Sequence, residues 1–365
     1  MVVLGRNVLD VIAHLRLRWD PMDCIYSVVA TRGISISWMR YKNEIDRGKS
    51  MGSIETLVKV YNSFQYVKEI EDCNGIIYHY SSPEGVKGIL DSKALFATDM
   101  YYLNDASEGR YVISIIEENI EKLCHDNLNF ISQVKHEIEM LKEEKWEEML
   151  HNYTISFSLD GDSLEMWNYY TKGNSIQGYN IGFDSRMLSE TASIEILDDD
   201  GKIIERDEKK HLSMLAGKVI YNEEEQIQIL YRIFDAFYKL YPQNTENEFG
   251  KLVARYVVQK AVQVGKFFKS PKFAVEKEYR VLFSTYLLND QKSAIQGIPH
   301  QEFYRVHEGC FVPYQKVIFS IASIKEITFS PSLHNEMTEA GLKRMMKQKG
   351  MEEVRVKKSD IPLRF

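Results

Sequence analysis

His79, Glu276, Glu278 and Arg280 are the residues of this chain whose types and settings could do chemistry. His79 follows the apolar run Ile76, Ile77, Tyr78, with Tyr80 and Ser81 directly after it. Polar groups at the end of a short apolar strand suit a site, because the strand fixes them while the loop exposes them. The segment FAVEKEYRVLF, residues 273–283, reads as a strand. Phe273, Val275, Tyr279, Val281 and Phe283 alternate as one apolar face, and Glu276, Glu278 and Arg280 fall together on the other. Two carboxylates beside a guanidinium allow a division of labour: the Arg holds one ionised, and the other acts on a substrate. On this reading Glu276 is the partner of Arg280. Each feature also has a plainer reading, since a His after a strand often only packs, and a charged strand face is satisfied by water.

The elements that must position these groups are legible on either side of them. After His79, Ser82 and Pro83 mark a helix start, with Val86, Ile89 and Leu90 on one face. Ala94 to Thr98 leads into Tyr101, Tyr102, Leu103, Asn104 and Asp105, and Glu108 begins two further helices, the second striped by Phe130, Val134, Ile138 and Leu141. Tyr153, Ile155, Phe157 and Leu159 alternate with Thr154, Ser156 and Ser158 as a strand. The turn Asp160-Gly161-Asp162-Ser163 precedes a helix over 164–170 that carries Trp167 and Tyr170 on one side. Gly178 and Gly182 sit on one face of the next strand, where glycine lets a ligand or another backbone come close. Residues 198–268 read as mostly helical, with stripes at Ile227, Leu230, Phe234, Phe237, Tyr241 and at Leu252, Val253, Tyr256, Val257, Val264. Strands over 317–321, 324–329 and from Val354, and a helix over 336–350, close the chain.

Composition bounds the answer. The 365 residues are 44% apolar and 27% charged, with 46 basic against 53 acidic side chains and a net charge of −7. No overall basic field points to nucleic acid. The first twenty residues carry Arg6, Asp10, Arg16 and Arg18 among apolar positions, unlike a signal peptide, and no apolar run reaches the ~18 residues of a membrane span. Cys24, Cys73, Cys124 and Cys310 are scattered without metal-ligand spacing, which fits a reducing cytoplasm. Residues 1–72 read as an N-terminal extension or small segment, with a helix from Ile54 striped by Leu57, Val58, Tyr61, Phe64 and Val67, and residues 73–365 as the main domain. That stripe must bury itself on the main domain or on a partner, where it could gate the His79 pocket.

In order, YHYSS, GIL, LFATD, YLNDASE, SFSLDGDSLEMWNYY, GYNIGFD, F-x-x-E-x-E-Y-R, IKEITFSPS and KKSDIPLR resemble domain-of-unknown-function family 2971 of bacteria over residues 75–365. Ser330-Pro331 stands where the family has Gly-Pro, and Tyr279 where it has Trp. The opening strand with its His and the late strand with its Glu look in turn like ADP-ribosyltransferases. What that resemblance implies is an α+β fold with a split mixed, largely antiparallel sheet and helical insertions, acting on NAD as substrate. His79 would contact the ribose and adenosine side, Glu278 would hold the ribose beside the breaking bond, and Trp167, Tyr170 or Tyr80 would pack on nicotinamide. Tyr170 joins His79 and Glu278 as a catalytic candidate; Tyr80, Ser81, Asn104, Trp167, Gly178 and Arg280 are the candidate NAD contacts. A fixed carboxylate suits a bond cleavage that builds positive charge on a sugar. Bacterial enzymes of this kind serve as toxins or antiviral effectors, with a macromolecular acceptor and an inhibitory or sensor partner protein expected. No G-x-G-x-x-G supports a dinucleotide fold of the Rossmann type. Two alternatives stand beside this reading: a nucleotide- or nucleic-acid-binding module without turnover, and a metal-dependent nuclease built on Asp105, Glu276 and Glu278.

Overall fold

The computed structural model describes residues 51–64, 75–103, 110–143, 150–171, 177–194, 215–242, 248–287, 293–295, 298–299, 302–307, 309–333 and 336–363. The strand expected over 25–38 lies outside them, as do Asn104, Asp105 and Glu108. The chain first forms α1 (Met51–Ser63), β1 (Ile76–Ser81), α2 (Pro83–Ser92), β2 (Ala94–Asp99), α3 (Tyr111–Glu118), α4 (Ile120–Leu123) and α5 (Leu128–Glu143). Then come β3 (Leu150–Ser158), α6 (Leu164–Tyr170), β4 (Tyr179–Asp184), α7 (Ser185–Thr191), β5 (Ser193–Ile194), β6 (Leu215–Lys218), α8 (Glu223–Tyr238) and α9 (Glu248–Gly265). Last are β7 (Glu278–Leu287), β8 (Ser293–Ile295), β9 (Ile298–Pro299), β10 (Phe303–His307), β11 (Cys310–Ile318), β12 (Ile324–Phe329), α10 (Glu336–Gln348) and β13 (Arg355–Lys358).

The protein is mixed α and β, with an open, largely antiparallel sheet in the order β10-β11-β2-β3-β1-β4-β12-β13, and β7 on the far side of β3. Among the named pairs, β12 with β13 is parallel. The feature that matters most for a site is how β3 shares one edge between two strands. β2 pairs with it at Thr98–Thr154 and Asp99–Tyr153, and β1 at Tyr78–Ser158. Between these points Ile155, Ser156 and Phe157 have no strand on that edge among the described residues, while β7 pairs along the whole of β3 on the other. The sheet is therefore split between β1 and β2.

Local chemistry explains the pieces that frame this split. The Ser82 hydroxyl accepts from the Gly85 amide at 3.1 Å, Pro83 opens α2, and Val86, Ile89 and Leu90 are its buried face. Ser163 caps α6 in the same way, and the Tyr80 hydroxyl ties the preceding turn by accepting from Ser163 N at 3.2 Å and donating to Asp160 O at 2.8 Å. Two large apolar cores follow. One joins the sheet to α2, α7 and α10, and the other is built among α1, α3, α4, α5, α8 and α9.

Two sequence expectations need correction. Residues 273–276 are not strand: a 3-10 turn runs Pro271–Glu276, Lys277 takes a left-handed conformation (φ 45°), and β7 begins at Glu278. Pro271 presets the dihedral that starts a turn, so the alternation of Phe273 and Val275 reflects turn geometry. The stretch expected to be mostly helical before Phe268 also contains β6, which pairs with β7 and is too short to show a period.

Candidate functional site

The split opens into a cavity of about 740 Å³, within the ~300–1,000 Å³ range of small-molecule sites. Thr154, Ile155, Ser156 and Phe157 all line it. Side chains alternate between faces along a strand, so four consecutive residues meet one cavity only where the strand's edge is open to it. His79 and Glu278 line the same cavity although sheet register puts them on opposite faces. His79 is paired with Ile181 of the apolar core, with its ring edge-on to Phe157 at 5.8 Å, whereas Glu278 is opposite Ser158 on the other face. The gap in the sheet is what lets both reach one space.

The His79 Nδ1–H donates to Ser156 O at 3.1 Å, across the edge that lacks a strand. A carbonyl only accepts, so the proton sits on Nδ1 and Nε2 keeps its lone pair. Burial holds the ring below the ordinary histidine range against the pull of that hydrogen bond, and the Arg305 charge lowers it further. His79 is thus a neutral acceptor, suited to a ligand hydroxyl.

Glu278 is 3% exposed and held from behind. Arg280, fully buried, donates to it twice at 2.9 Å, and Ser156 Oγ donates at 2.7 Å. Its own amide donates to the Tyr221 hydroxyl at 3.0 Å. Lys269 Nζ lies between the two carboxylates, 2.6 Å from Glu276 and 3.4 Å from Glu278, and Tyr170 donates to Glu276 at 2.7 Å. Burial pushes the Glu278 carboxyl above the usual carboxylate range, while Lys269 and the Ser156 hydrogen bond oppose that shift. The bidentate Arg280 acts in the same direction as Lys269 and favours the ionised form. Lys269 is itself desolvated, yet Glu278 and Glu276 together hold it above the ordinary lysine range. The expected pairing of Arg280 with Glu276 is therefore corrected. Turning at Lys277 sends Glu276 to Lys269, and the strand neighbour of Arg280 on the same face is Glu278.

Of the expected site residues, His79, Tyr80, Ser81, Tyr170 and Glu278 line the cavity. Trp167, Gly178 and Arg280 do not. Trp167 is fully buried, edge-on to Tyr80 at 4.7 Å, with its Nε1 donating to Asp162 at 2.8 Å, which leaves no ring face for a ligand. A Cβ on Gly178 would lie 2.4 Å from Thr171 and 2.8 Å from Ser81 O, and one on Gly182 would lie 2.8 Å from Glu326 and 2.9 Å from Ile76. Those glycines make room for the protein's own chain, not for a ligand. Arg280 positions Glu278 without reaching the cavity. Asn104 lies outside the described residues.

Sequence reasoning missed Lys269, Arg305 and His307, which also line the cavity. The signal for the last two was present in FYRVH, residues 303–307, where Phe303, Arg305 and His307 alternate with Tyr304 and Val306. Lys269 gave no such signal, because it lies past the end of α9 in no periodic element and meets its carboxylates only through the following turn. Glu276 and Glu278 do not offer a seat for a divalent ion: Lys269 is already between them, and Arg280, Ser156 and Tyr170 take further oxygen lone pairs. Among the described residues no helix is long and apolar enough to cross a membrane.

Residues 166–281 match the family model described as Protein of unknown function (DUF2971), which supports the family indicated by the motifs. No curated protein and no solved structure matches the chain.

Proposed function

We propose that the cavity binds NAD as substrate and transfers its ADP-ribose to a macromolecule or to water. The observation that carries this reading is the fixed Glu278 carboxylate on the wall of a split-sheet cavity that also presents the neutral Nε2 of His79. In the reaction the bond from the ribose anomeric carbon to the nicotinamide nitrogen breaks, and its electron pair leaves with neutral nicotinamide. The sugar becomes cationic, an acceptor oxygen or nitrogen adds to the anomeric carbon, and that acceptor gives its proton to solvent water. A carboxylate held rigid by Arg280 and Ser156 needs no reorganisation as positive charge develops, so it favours the transition state over the bound substrate. His79 Nε2 accepts from a ribose hydroxyl and orients the sugar. Of the three aromatic candidates for the nicotinamide wall, Tyr170 fits best, since it lines the cavity and remains half-buried while its hydroxyl is tied to Glu276.

The ADP-ribosyltransferase-like reading of the fold rests on the split between β1 and β2. By analogy with such bacterial enzymes, the cellular role is that of a toxin or antiviral effector, restrained by a partner protein. The test is incubation of the purified protein with NAD labelled in the adenylate moiety, alone and with cell lysate. Free ADP-ribose or labelled macromolecule is the expected result, and its rate of formation should fall about 10²- to 10³-fold with Glu278→Gln. Binding of NAD without turnover would favour the nucleotide-binding module instead.

A further inference from the structure

Resting on the dinucleotide reading of the cavity, we infer that Arg305 is the anion-recognition group of the site and takes the diphosphate of the substrate. Arg305 lies on β10 and shares a sheet face with His307 and, across the register, with Val312 and Tyr314. Through Tyr314, which pairs with Thr98, that face continues to Thr98 and on to Thr154, so the hairpin β10–β11 is a wall of the same cavity as Glu278. The guanidinium donates from Nη2 to Thr98 Oγ1 at 2.9 Å and has no carboxylate within ion-pair distance among the described residues. Thr98 is buried, so this bond fixes the fork at the cavity wall.

The rest of the cavity's charge is arranged differently. Glu276 and Glu278 are matched by Lys269 and Arg280, a locally neutral set. Glu302, close to Arg305 in sequence, binds the Tyr153 and Tyr304 hydroxyls instead. Among the described residues Arg305 therefore brings a positive charge with no ion-pair partner to a partly desolvated wall, in a cavity that Glu84 and Lys272 also line, and it lowers the basicity of His79 nearby. A planar guanidinium with spare N–H groups binds phosphate oxygens through paired hydrogen bonds. A neutral acceptor at His79 for hydroxyls and a cation at Arg305 for phosphate match the alternation of ribose and diphosphate in one dinucleotide.

Calorimetric titration with ADP-ribose, adenosine and inorganic pyrophosphate tests this on the full chain, in wild type, Arg305→Met and Arg305→Lys. The expected result is an Arg305→Met loss of about 10- to 100-fold for ADP-ribose and pyrophosphate, with adenosine changed less than twofold and Arg305→Lys intermediate. Equal losses for adenosine and ADP-ribose, or unchanged pyrophosphate affinity, would overturn the assignment and leave Arg305 a packing residue. If wild type turns over no NAD and binds no ADP-ribose but binds pyrophosphate through Arg305, the dinucleotide reading fails and the anion site stands. If pyrophosphate is not bound either, both fall.

Discussion

Replacing Glu278 with Gln separates the chemistry of this carboxylate from its part in the fold. The carboxylate accepts two bonds from Arg280, one from Ser156 and a longer one from Lys269, and the amide of Gln can accept on one atom only. Its NH₂ group would face donors, and the fully buried Arg280 would lose its charge partner. Breaking a buried pair from one side costs about 3–5 kcal/mol, so Glu278→Gln should lower stability by roughly that amount. Turnover of NAD should fall about 10²- to 10³-fold, as for one lost transition-state contact. The double variant Glu278→Gln with Arg280→Met removes the orphaned charge and should recover most of the stability, because no buried ion is left unpaired. It should recover none of the turnover. Chemical denaturation and a nicotinamide-release assay read the two effects on the same samples. If the double variant regains turnover, or if Glu278→Gln retains it, the carboxylate is structural and the proposed mechanism is wrong.

Glu276→Gln should cost less turnover than Glu278→Gln, since Lys269 keeps Glu278 as a partner and the Tyr170 bond survives on an amide oxygen; equal losses in the same assay would count against separate roles. Gly182→Val should destabilise by about 1–3 kcal/mol, because its Cβ falls 2.8 Å from Glu326 and 2.9 Å from Ile76, and an unchanged denaturation midpoint would refute that. His151 and His79 shift stability oppositely with pH. The Asp99 hydrogen bond raises His151, so its contribution is complete below the ordinary value of 6.5 and lost as pH rises through the raised folded value. Burial lowers His79, so its contribution is present above 6.5 and lost as pH falls through the lowered folded value. Denaturation midpoints across that range should flatten on the alkaline side for His151→Gln and on the acid side for His79→Gln, and wild-type profiles in both would sink the assignment. Asp162→Ala should make residues 358–363 sensitive to limited proteolysis, because Asp162 accepts from Ser359 Oγ at 2.6 Å, Asp360 N at 2.8 Å and Trp167 Nε1 at 2.8 Å.

What the sequence made legible was local or periodic. The cap at Ser82 with Pro83, the apolar face Val86-Ile89-Leu90, and the alternation through Ile155 and Phe157 each depend on neighbours within one turn or one strand. The stripes Leu230-Phe234-Phe237 and Val253-Tyr256-Val257 were equally readable, and all six residues lie in the helical core. The site was half legible for the same reason. His79 and Glu278 stand out as polar residues in apolar strands, but which carboxylate meets Arg280 depends on a turn at Lys277 that periodicity does not encode. Lys269 and Arg305 acquire meaning only from contacts across the fold: the first reaches back from the end of α9, and the second crosses from a late hairpin to Thr98. Gly182 carried a true signal of close approach, but the approaching group is Glu326, held by Tyr78, Arg355 and Lys357.

The position of the cavity between two cores bears on how distant segments reach it. Glu278 begins β7, whose apolar face belongs to the sheet core, whereas Lys269 follows α9 of the helical core. Met100, Phe267 and Leu282 form a separate small cluster where these bodies meet, with Phe267 two residues from Lys269. The distance from Lys269 to its carboxylates is therefore set by how the helices dock on the sheet. The stripe of α1 is buried in that docking: Leu57 and Tyr61 belong to the helical core, Tyr61 is edge-on to Phe237 and Tyr256, and its hydroxyl donates to Gln263 of α9 at 3.3 Å. No described residue of α1 lines the cavity. Residues 1–50 and 65–72 of the segment that could gate the His79 pocket lie outside the described residues, and its described helix, α1, packs on the helical core instead. There α1 braces α9, and α9 carries the chain to the lysine that sits between Glu276 and Glu278.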